Sequence, residues 1–352
     1  MPIANTVSPP DNPAHVESEV DWKERRCVVT GGLGFIGSHL VDELLRRGAS
    51  VRVVDNLSRG TPDNLNQTQG EVEFIRGDLT DPQVAFQALS DASVCFHVAA
   101  RVSGVQLMNH PDMLENAVID RNVMEACRRR GTQHVLYTST ACTYPVHMQE
   151  GPGALLSEED VLRYGAQPDS VYGWCKLLGE IMCKTYHETY GMQIAVVRPF
   201  NPYGPRDYFD LDTSHVIPAL IRRAIDRENP LVVWGDGEQS RAFQYVTDVA
   251  KGFLLALDAI TDATAINLGT SDGMKIKNLA RLILRLTGNP DTAISFEKEM
   301  PQGVRARRAS SAKALELLGW KAEVSLEEGL KNTIKWYLNR DGKSAQIHPS
   351  PC

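Results

Sequence analysis

Tyr172-Gly-Trp-Cys-Lys176 sets a phenol and an ammonium four residues apart, one turn along the same face of a helix. A cation beside a phenol favours the phenolate, which can take the proton of a substrate hydroxyl as hydride leaves the same carbon. The spacing also arises by chance on amphipathic helices, so the pair needs a partner. Upstream, an apolar run from His134 to Tyr137 reads as a buried strand. It leads into Thr138-Ser-Thr140-Ala-Cys142-Thr-Tyr-Pro145. In an open parallel α/β sheet, ligands bind beyond the carboxyl ends of the strands. Thr140 and Cys142 are therefore candidates for chemistry. Taken alone, the stretch also reads as a Ser/Thr-rich loop with a small buried thiol.

The second chemical pattern is Gly31-x-x-Gly34-x-x-Gly37. An apolar strand, Arg26–Thr30, precedes it. Helical spacing from Ser38 to Arg47 follows, with Leu40, Val41, Leu44 and Leu45 on one side and Gly48 as the stop. The missing side chains let the backbone turn tightly against a pyrophosphate, which the helix N-terminus attracts. Phe35 and Ile36 share that backbone. The next strand, Ser50–Val54, ends at Asp55, followed by Asn56. A carboxylate there accepts ribose hydroxyls and repels a 2′-phosphate, which favours NAD over NADP. Arg59, close by, suits a phosphate and keeps NADP open. Asp78-Leu79, after a third strand Val72–Arg76, suits an adenine contact; the structural alternative for Asp78 is a helix N-cap before Pro82. Ala99-Ala100 close a fourth strand, Val94–Val98.

Long helical patterns cover Asp112–Arg130 and Val171–Thr189, and a further strand covers Gln193–Val197. Strands alternating with helices predict an α/β fold, a Rossmann-type doubly wound parallel sheet with a smaller α/β substrate-binding domain. The expected division is a tail at 1–21, the cofactor domain at 22–199 plus 240–268, the substrate domain at 200–239 plus 269–340, and a second tail at 341–352. A formal charge of −7 argues against a broad nucleic-acid or anionic-membrane surface. The seven cysteines are scattered without a C-x-x-C pair, which fits a reducing cytoplasm better than a disulfide framework or a metal site. No apolar leader and no membrane-length apolar run is visible.

Together these features resemble the extended short-chain dehydrogenase/reductase family, the NAD-dependent nucleotide-sugar epimerases and dehydratases, over about residues 24–340. The resemblance implies that Thr140 shares the substrate proton with Tyr172 and Lys176. It implies that Asn201 and Arg241 hold a nucleotide diphosphate. Family dehydratases and decarboxylases carry an acid where this chain has Cys142, which argues against both reactions. A Cys before x-Tyr-Pro is similar to two subfamilies, GDP-mannose 3,5-epimerase and GDP-fucose synthase, as is the loop Ala99–Val105 with Ser103, Gly104 and Val105. Tyr203–Arg223 resembles the synthase, which makes His215 a second proton-transfer residue and Arg223 a phosphate ligand. Pro301–Arg307, with Arg305, resembles the epimerase's diphosphate-gripping loop. Asp55 leans the reading towards a redox-neutral epimerase like the GDP-mannose enzyme. The alternatives are an epimerase-reductase like the synthase and a C4-epimerase of a UDP- or dTDP-sugar. By resemblance, the helices at 112–130 and 171–189 form a homodimer interface.

Overall fold

The computed structural model describes residues 21–340 except 24, 67, 152 and 154. Of the expected tails only Asp21 falls among them.

Seven strands form the main sheet: β1 (Arg26–Thr30), β2 (Ser50–Asp55), β3 (Val72–Arg76), β4 (Val94–His97), β5 (His134–Thr138), β6 (Gln193–Pro199) and, much later, β11 (Asp262–Leu268). All pair in parallel, in the order β11-β6-β5-β4-β1-β2-β3. β1 pairs with β2 on one side and with β4 on the other, so the winding reverses there and opens a crevice at the carboxyl ends. β1, β2, β4 and β5 are buried almost end to end, as a parallel sheet covered on both faces requires.

Helix α1 (Phe35–Arg46) covers one face with α7 (Val246–Ala259), which packs Phe253 and Leu254 against Leu40, Leu44 and Val53. On the other face lie α2 (Pro82–Ala88), α3 (Glu115–Arg130) and α5 (Val171–Tyr190), which meet Val28, Cys95 and Val135 through Ala85, Val123 and Cys183. Between α3 and α5 runs the one-turn α4 (Asp160–Arg163). Glycines in the left-handed region stop α3 at Gly131 and α5 at Gly191. Several boundaries differ from expectation, three of them with a local cause. α1 begins at Phe35 because the glycine loop is itself the first turn. α3 is preceded by a 310 turn, Pro111–Leu114. The N-cap of α2 is Asp81, which bonds Gln83 N; Asp78 instead bonds Asn56 and Thr80.

A second lobe is built from β7 (Pro202–Tyr203), α6 (Val216–Ile225), β8 (Leu231–Trp234), β9 (Ser240–Arg241), β10 (Gln244–Tyr245), β12 (Met274–Lys275), α8 (Ile276–Leu286), β13 (Ile294–Glu297), β14 (Ala306–Arg307) and α10 (Leu326–Arg340). Leu220, Ile221, Ile283, Leu330 and Ile334 fill its core. The segment around α9 (Ala312–Leu318) returns to the first lobe. There Ala314 and Trp320 join the core, and Trp320 Nε1 donates to Asp248 O at 2.9 Å.

Candidate active site

A cavity of about 1220 Å³ lies between the lobes at the carboxyl edge of the sheet. Its cofactor end is the glycine loop. Gly31 has φ +67°, and a Cβ there would stand 2.9 Å from Ala99 Cα; one on Gly37 would overlap the Gly31 carbonyl. The N-cap of α1, Gly34, offers no capping side chain, so the first-turn N–H groups remain for a ligand. Asp55 accepts from Leu33 N at 3.1 Å and Leu57 N at 2.8 Å, which aims its carboxylate. Burial pushes its pKa up, opposed by those two bonds. Arg59 is engaged within the cavity wall: its guanidinium lies 4.3 Å over the Tyr208 ring and donates to Val102 O. A ribose with a free 2′-hydroxyl fits this corner; a 2′-phosphate meets the Asp55 carboxylate. Phe35, Ile36, Asn56, Asp78, Leu79, Ala99 and Ala100 line the same end.

Past the end of β5, Thr140 caps a 310 turn, accepting from Cys142 N at 3.3 Å. The stretch is pinned from behind. Ser139 donates to Glu180, Arg198 grips Glu180 through two bonds of 2.8 and 2.6 Å, and Arg198 also donates to the Tyr144 hydroxyl at 3.0 Å. Tyr144 in turn donates to Asn267 Oδ1 at 2.6 Å. Gly173 lets the first turn of α5 press against this stretch, with its Cα facing the Cys142 carbonyl. Tyr172 thereby reaches the cavity beside Thr140 and Cys142. Burial raises the Tyr172 pKa, Cys142 and Asp120 add to the rise, and the bond with Thr140 opposes it. Lys176 lies one turn deeper, fully buried, with Nζ 4.2 Å from the Tyr137 ring centroid and 3.6 Å from Asp120 Oδ1.

The substrate end carries two adjacent arginines, because β9 and β14 pair in parallel with Arg241 opposite Arg307. Arg307 donates to Cys142 Sγ at 3.3 Å and to Gln149 at 2.8 Å, and it pairs with Asp169. Burial raises the Cys142 thiol, and Arg307 opposes that rise. Arg241 donates to two backbone carbonyls, Ser240 O at 2.9 Å and Gln302 O at 3.3 Å. Burial and Arg307 lower its pKa to about 9, the mark of a cation in want of an anion. Asn201, at φ +41°, donates to Ala242 O at 2.8 Å. His215 caps α6 and stands half-exposed, Nδ1 3.8 Å from Asp207. Arg223 pairs with Glu228 at 3.3 Å. Arg305 sits exposed at the rim, doubly bonded to half-buried Asp236 at 2.9 and 2.8 Å. Ser103, Gly104 and Val105 line the wall between the two ends.

The cavity thus brings together every candidate site residue except Lys176, which follows Tyr172 by one turn along α5. Sequence reasoning missed Arg307 as the partner of Cys142, and Asp169, Gln149, Glu180 and Asp120 altogether. Arg307 left a signal as part of the Pro301–Arg307 loop, and Asp120 through its helical spacing.

A glycine cradle at a sheet switch point, with a Thr-Tyr-Lys set facing an arginine-lined end, defines a nucleotide-sugar enzyme of the dinucleotide-binding class. The chain belongs to the NAD dependent epimerase/dehydratase family, whose profile matches residues 27–269. NAD is the cofactor that the cradle and Asp55 suit. The chain is 34% identical over 324 residues to a UDP-N-acetyl-alpha-D-glucosaminuronate decarboxylase of Bacillus cytotoxicus, covering 89% of this chain and 98% of the relative. It is 31% identical to a putative UDP-glucose 4-epimerase of Methanocaldococcus jannaschii, covering 89% and 99%. The crystal structure of the Thermotoga maritima UDP-glucose 4-epimerase with UDP-glucose matches with a TM-score of 0.81 at 30% identity, covering 90% of this chain and 99% of that one.

Proposed function

We propose that this protein is a redox-neutral, NAD-dependent C4-epimerase of a UDP-sugar. The observation that carries this reading is Cys142. It stands where family decarboxylases and dehydratases are expected to hold an acid, and its buried thiol is raised in pKa and capped by Arg307. Burial favours the neutral thiol, and Arg307 works against that. Cys142 offers no carboxylate for loss of water or CO2. The reading that pairs Cys142 with His215 in a GDP-sugar epimerase is the alternative, and none of the three relatives named above is a GDP-sugar enzyme.

NAD held in the cradle supplies a hydride acceptor at sugar C4 and then the donor. The chain's own residues do the rest. Tyr172 takes the C4 hydroxyl proton and later returns it. Thr140 orients that hydroxyl by bonding both partners. Lys176, an ammonium behind the phenol, favours the phenolate. Arg241, short of an anion, takes the diphosphate, with Asn201 and Arg223 nearby. The residues between, Ser103 to Val105 and Cys142, are small enough to let the sugar turn before hydride returns to its other face.

α3 and α5 pack side by side and leave Leu114, Val118, Trp174, Leu178 and Ile181 exposed. A second copy of the chain covers that strip in the homodimer we infer, and light scattering of the purified protein checks it. The functional test is incubation with UDP-glucose, UDP-N-acetylglucosamine and UDP-glucuronate in deuterated water, read by NMR. Inversion at C4 without deuterium at C3 or C5 supports the reading. Deuterium at C3 or C5, or release of CO2, overturns it.

A further inference from the structure

Asp120 lies outside the cavity, under its floor on α3, and is fully buried. A carboxylate in such a place must be fully paired. Tyr137 donates to Oδ2 at 2.6 Å, His97 Nε2 stands 3.0 Å from Oδ1, and Lys176 Nζ stands 3.6 Å from Oδ1. The surrounding bonds assign the His97 tautomer. Thr30 Oγ accepts from Val98 N and Ala99 N, both at 3.0 Å, so its own proton goes to His97 Nδ1, 2.8 Å away. His97 is left to donate from Nε2, and burial lowers its pKa, so the ring is neutral. Burial works against the Asp120 carboxylate, but Lys176, His97 and Tyr137 together bring its pKa down.

Room for this cluster is built into α5. A Cβ on Gly179 would overlap the Tyr137 hydroxyl and stand 2.7 Å from Asp120 Oδ2. The other titratable groups around Asp120 are few. From α5 come Lys176, Cys175, Cys183 and Tyr172, and one turn on Glu180, which is spent on Arg198 and Ser139. From β4 comes His97 and from β5 Tyr137, while α2 carries no ionisable residue. Lys176 is thus the only full positive charge among these groups not already held by another carboxylate. Its Nζ lies 3.6 Å from Asp120 Oδ1, and it follows Tyr172 by one turn along α5.

We propose that Asp120 is a positioning residue: it tethers the Lys176 ammonium from behind and so sets how strongly that charge acts on the Tyr172 phenol. The proposal rests on reading Tyr172 as the group that takes the sugar hydroxyl proton. The tether does two things. It keeps a buried cation in register with the phenol, and it cancels part of that cation's field there. With an uncharged side chain at position 120, Tyr172 feels more of the ammonium and ionises at lower pH.

The test uses the purified full chain with its bound NAD and two variants, Asp120→Asn and Asp120→Thr. Asn keeps the shape. Thr is smaller and still bonds His97, so it serves if the first does not fold; circular dichroism and bound-NAD content report folding. The first readout is the acid limb of the kcat–pH profile. The second needs no turnover: the ring signal of carbon-13-labelled Tyr172, assigned with Tyr172→Phe, followed through its titration. Both are expected to move to lower pH by roughly one unit in a folded variant. A purely structural Asp120 changes the height of the profile only. Unmoved or upward-moving values in a folded variant overturn the proposal. A wild-type protein inactive on every UDP-sugar refutes the functional reading instead, and the ring titration still decides Asp120.

Discussion

Gly173→Ala tests the placement of the reacting phenol. Residue 173 is in the first turn of α5, its N–H held by Ser170 Oγ at 3.1 Å. A Cβ there would fall well inside 3.0 Å of the Cys142 carbonyl oxygen, and it would meet Cys142 C at 3.1 Å and Pro168 Cβ at 3.0 Å. Two effects compete. Alanine is the better helix former by about 1 kcal/mol, so the helix itself gains. The overlap is with backbone on a stretch pinned by Ser139 and Tyr144, so it is α5 that must retreat, by roughly 0.5–1 Å. Tyr172 moves with it, away from Thr140. A misplacement of about 1 Å costs on the order of 100-fold in rate, and this loss outweighs the helix gain. The assay is steady-state epimerisation with bound NAD quantified after denaturation. The expected result is kcat lower by about 100-fold, with KM and NAD content little changed, since the glycine cradle and the arginines lie on other elements. A variant with wild-type kcat refutes the claim that this contact places the phenol.

Other outcomes follow from the same geometry. Cys142→Ser keeps most of its C4-epimerase turnover, because the thiol transfers no proton in this reaction; a collapse of activity with KM unchanged would restore the Cys142–His215 reading. Asp55→Asn lowers NAD affinity by roughly tenfold or more and relaxes discrimination against NADP, measured by isothermal titration of cofactor-stripped protein; unchanged selectivity would contradict the role given to the carboxylate. His39 Nε2 lies 3.0 Å from Pro205 O, and burial, with Arg206 adding, lowers its pKa from 6.5 to about 4. Between those values the unfolded chain binds the proton that the folded one refuses, so stability falls as pH drops from 6.5 towards 4, by at most about 3 kcal/mol. Urea unfolding across that window is expected to be flatter in His39→Asn, and an equally steep fall would refute it.

The cofactor half of the site was legible because it is local. Strand, glycine loop, helix and acidic strand end follow one another within 30 residues or so, and each is forced by backbone sterics or helix polarity. The Tyr172–Lys176 pair was legible for the same reason. The substrate half was legible only in part, because tertiary pairing decides which side chains meet there. Arg305 and Arg307 look alike in sequence; the turn carrying Asp236 claims the first, and the β9–β14 pairing delivers the second to Cys142. On α3, the apolar Val118 is exposed. Its neighbour Asp120 reads as a surface charge, yet it is buried. Here a signal existed: Asn116, Asp120, Val123 and Cys127 recur at helical spacing and are all buried, which puts the carboxylate on the inward stripe. The partners that make it tolerable, His97 and Tyr137, come from strands far off in sequence. The segment around Trp320 likewise rejoins the first lobe through a bond to Asp248 that no local pattern announces.

The central claim is inversion at C4 by hydride removed and returned within one active site. A UDP-sugar deuterated at C4, converted by the purified protein and analysed by NMR, tests it most directly. The account predicts an inverted product that keeps its deuterium at C4 and gains none from solvent elsewhere in the ring. Loss of the label, or a product inverted at C3 or C5 with C4 unchanged, would contradict it.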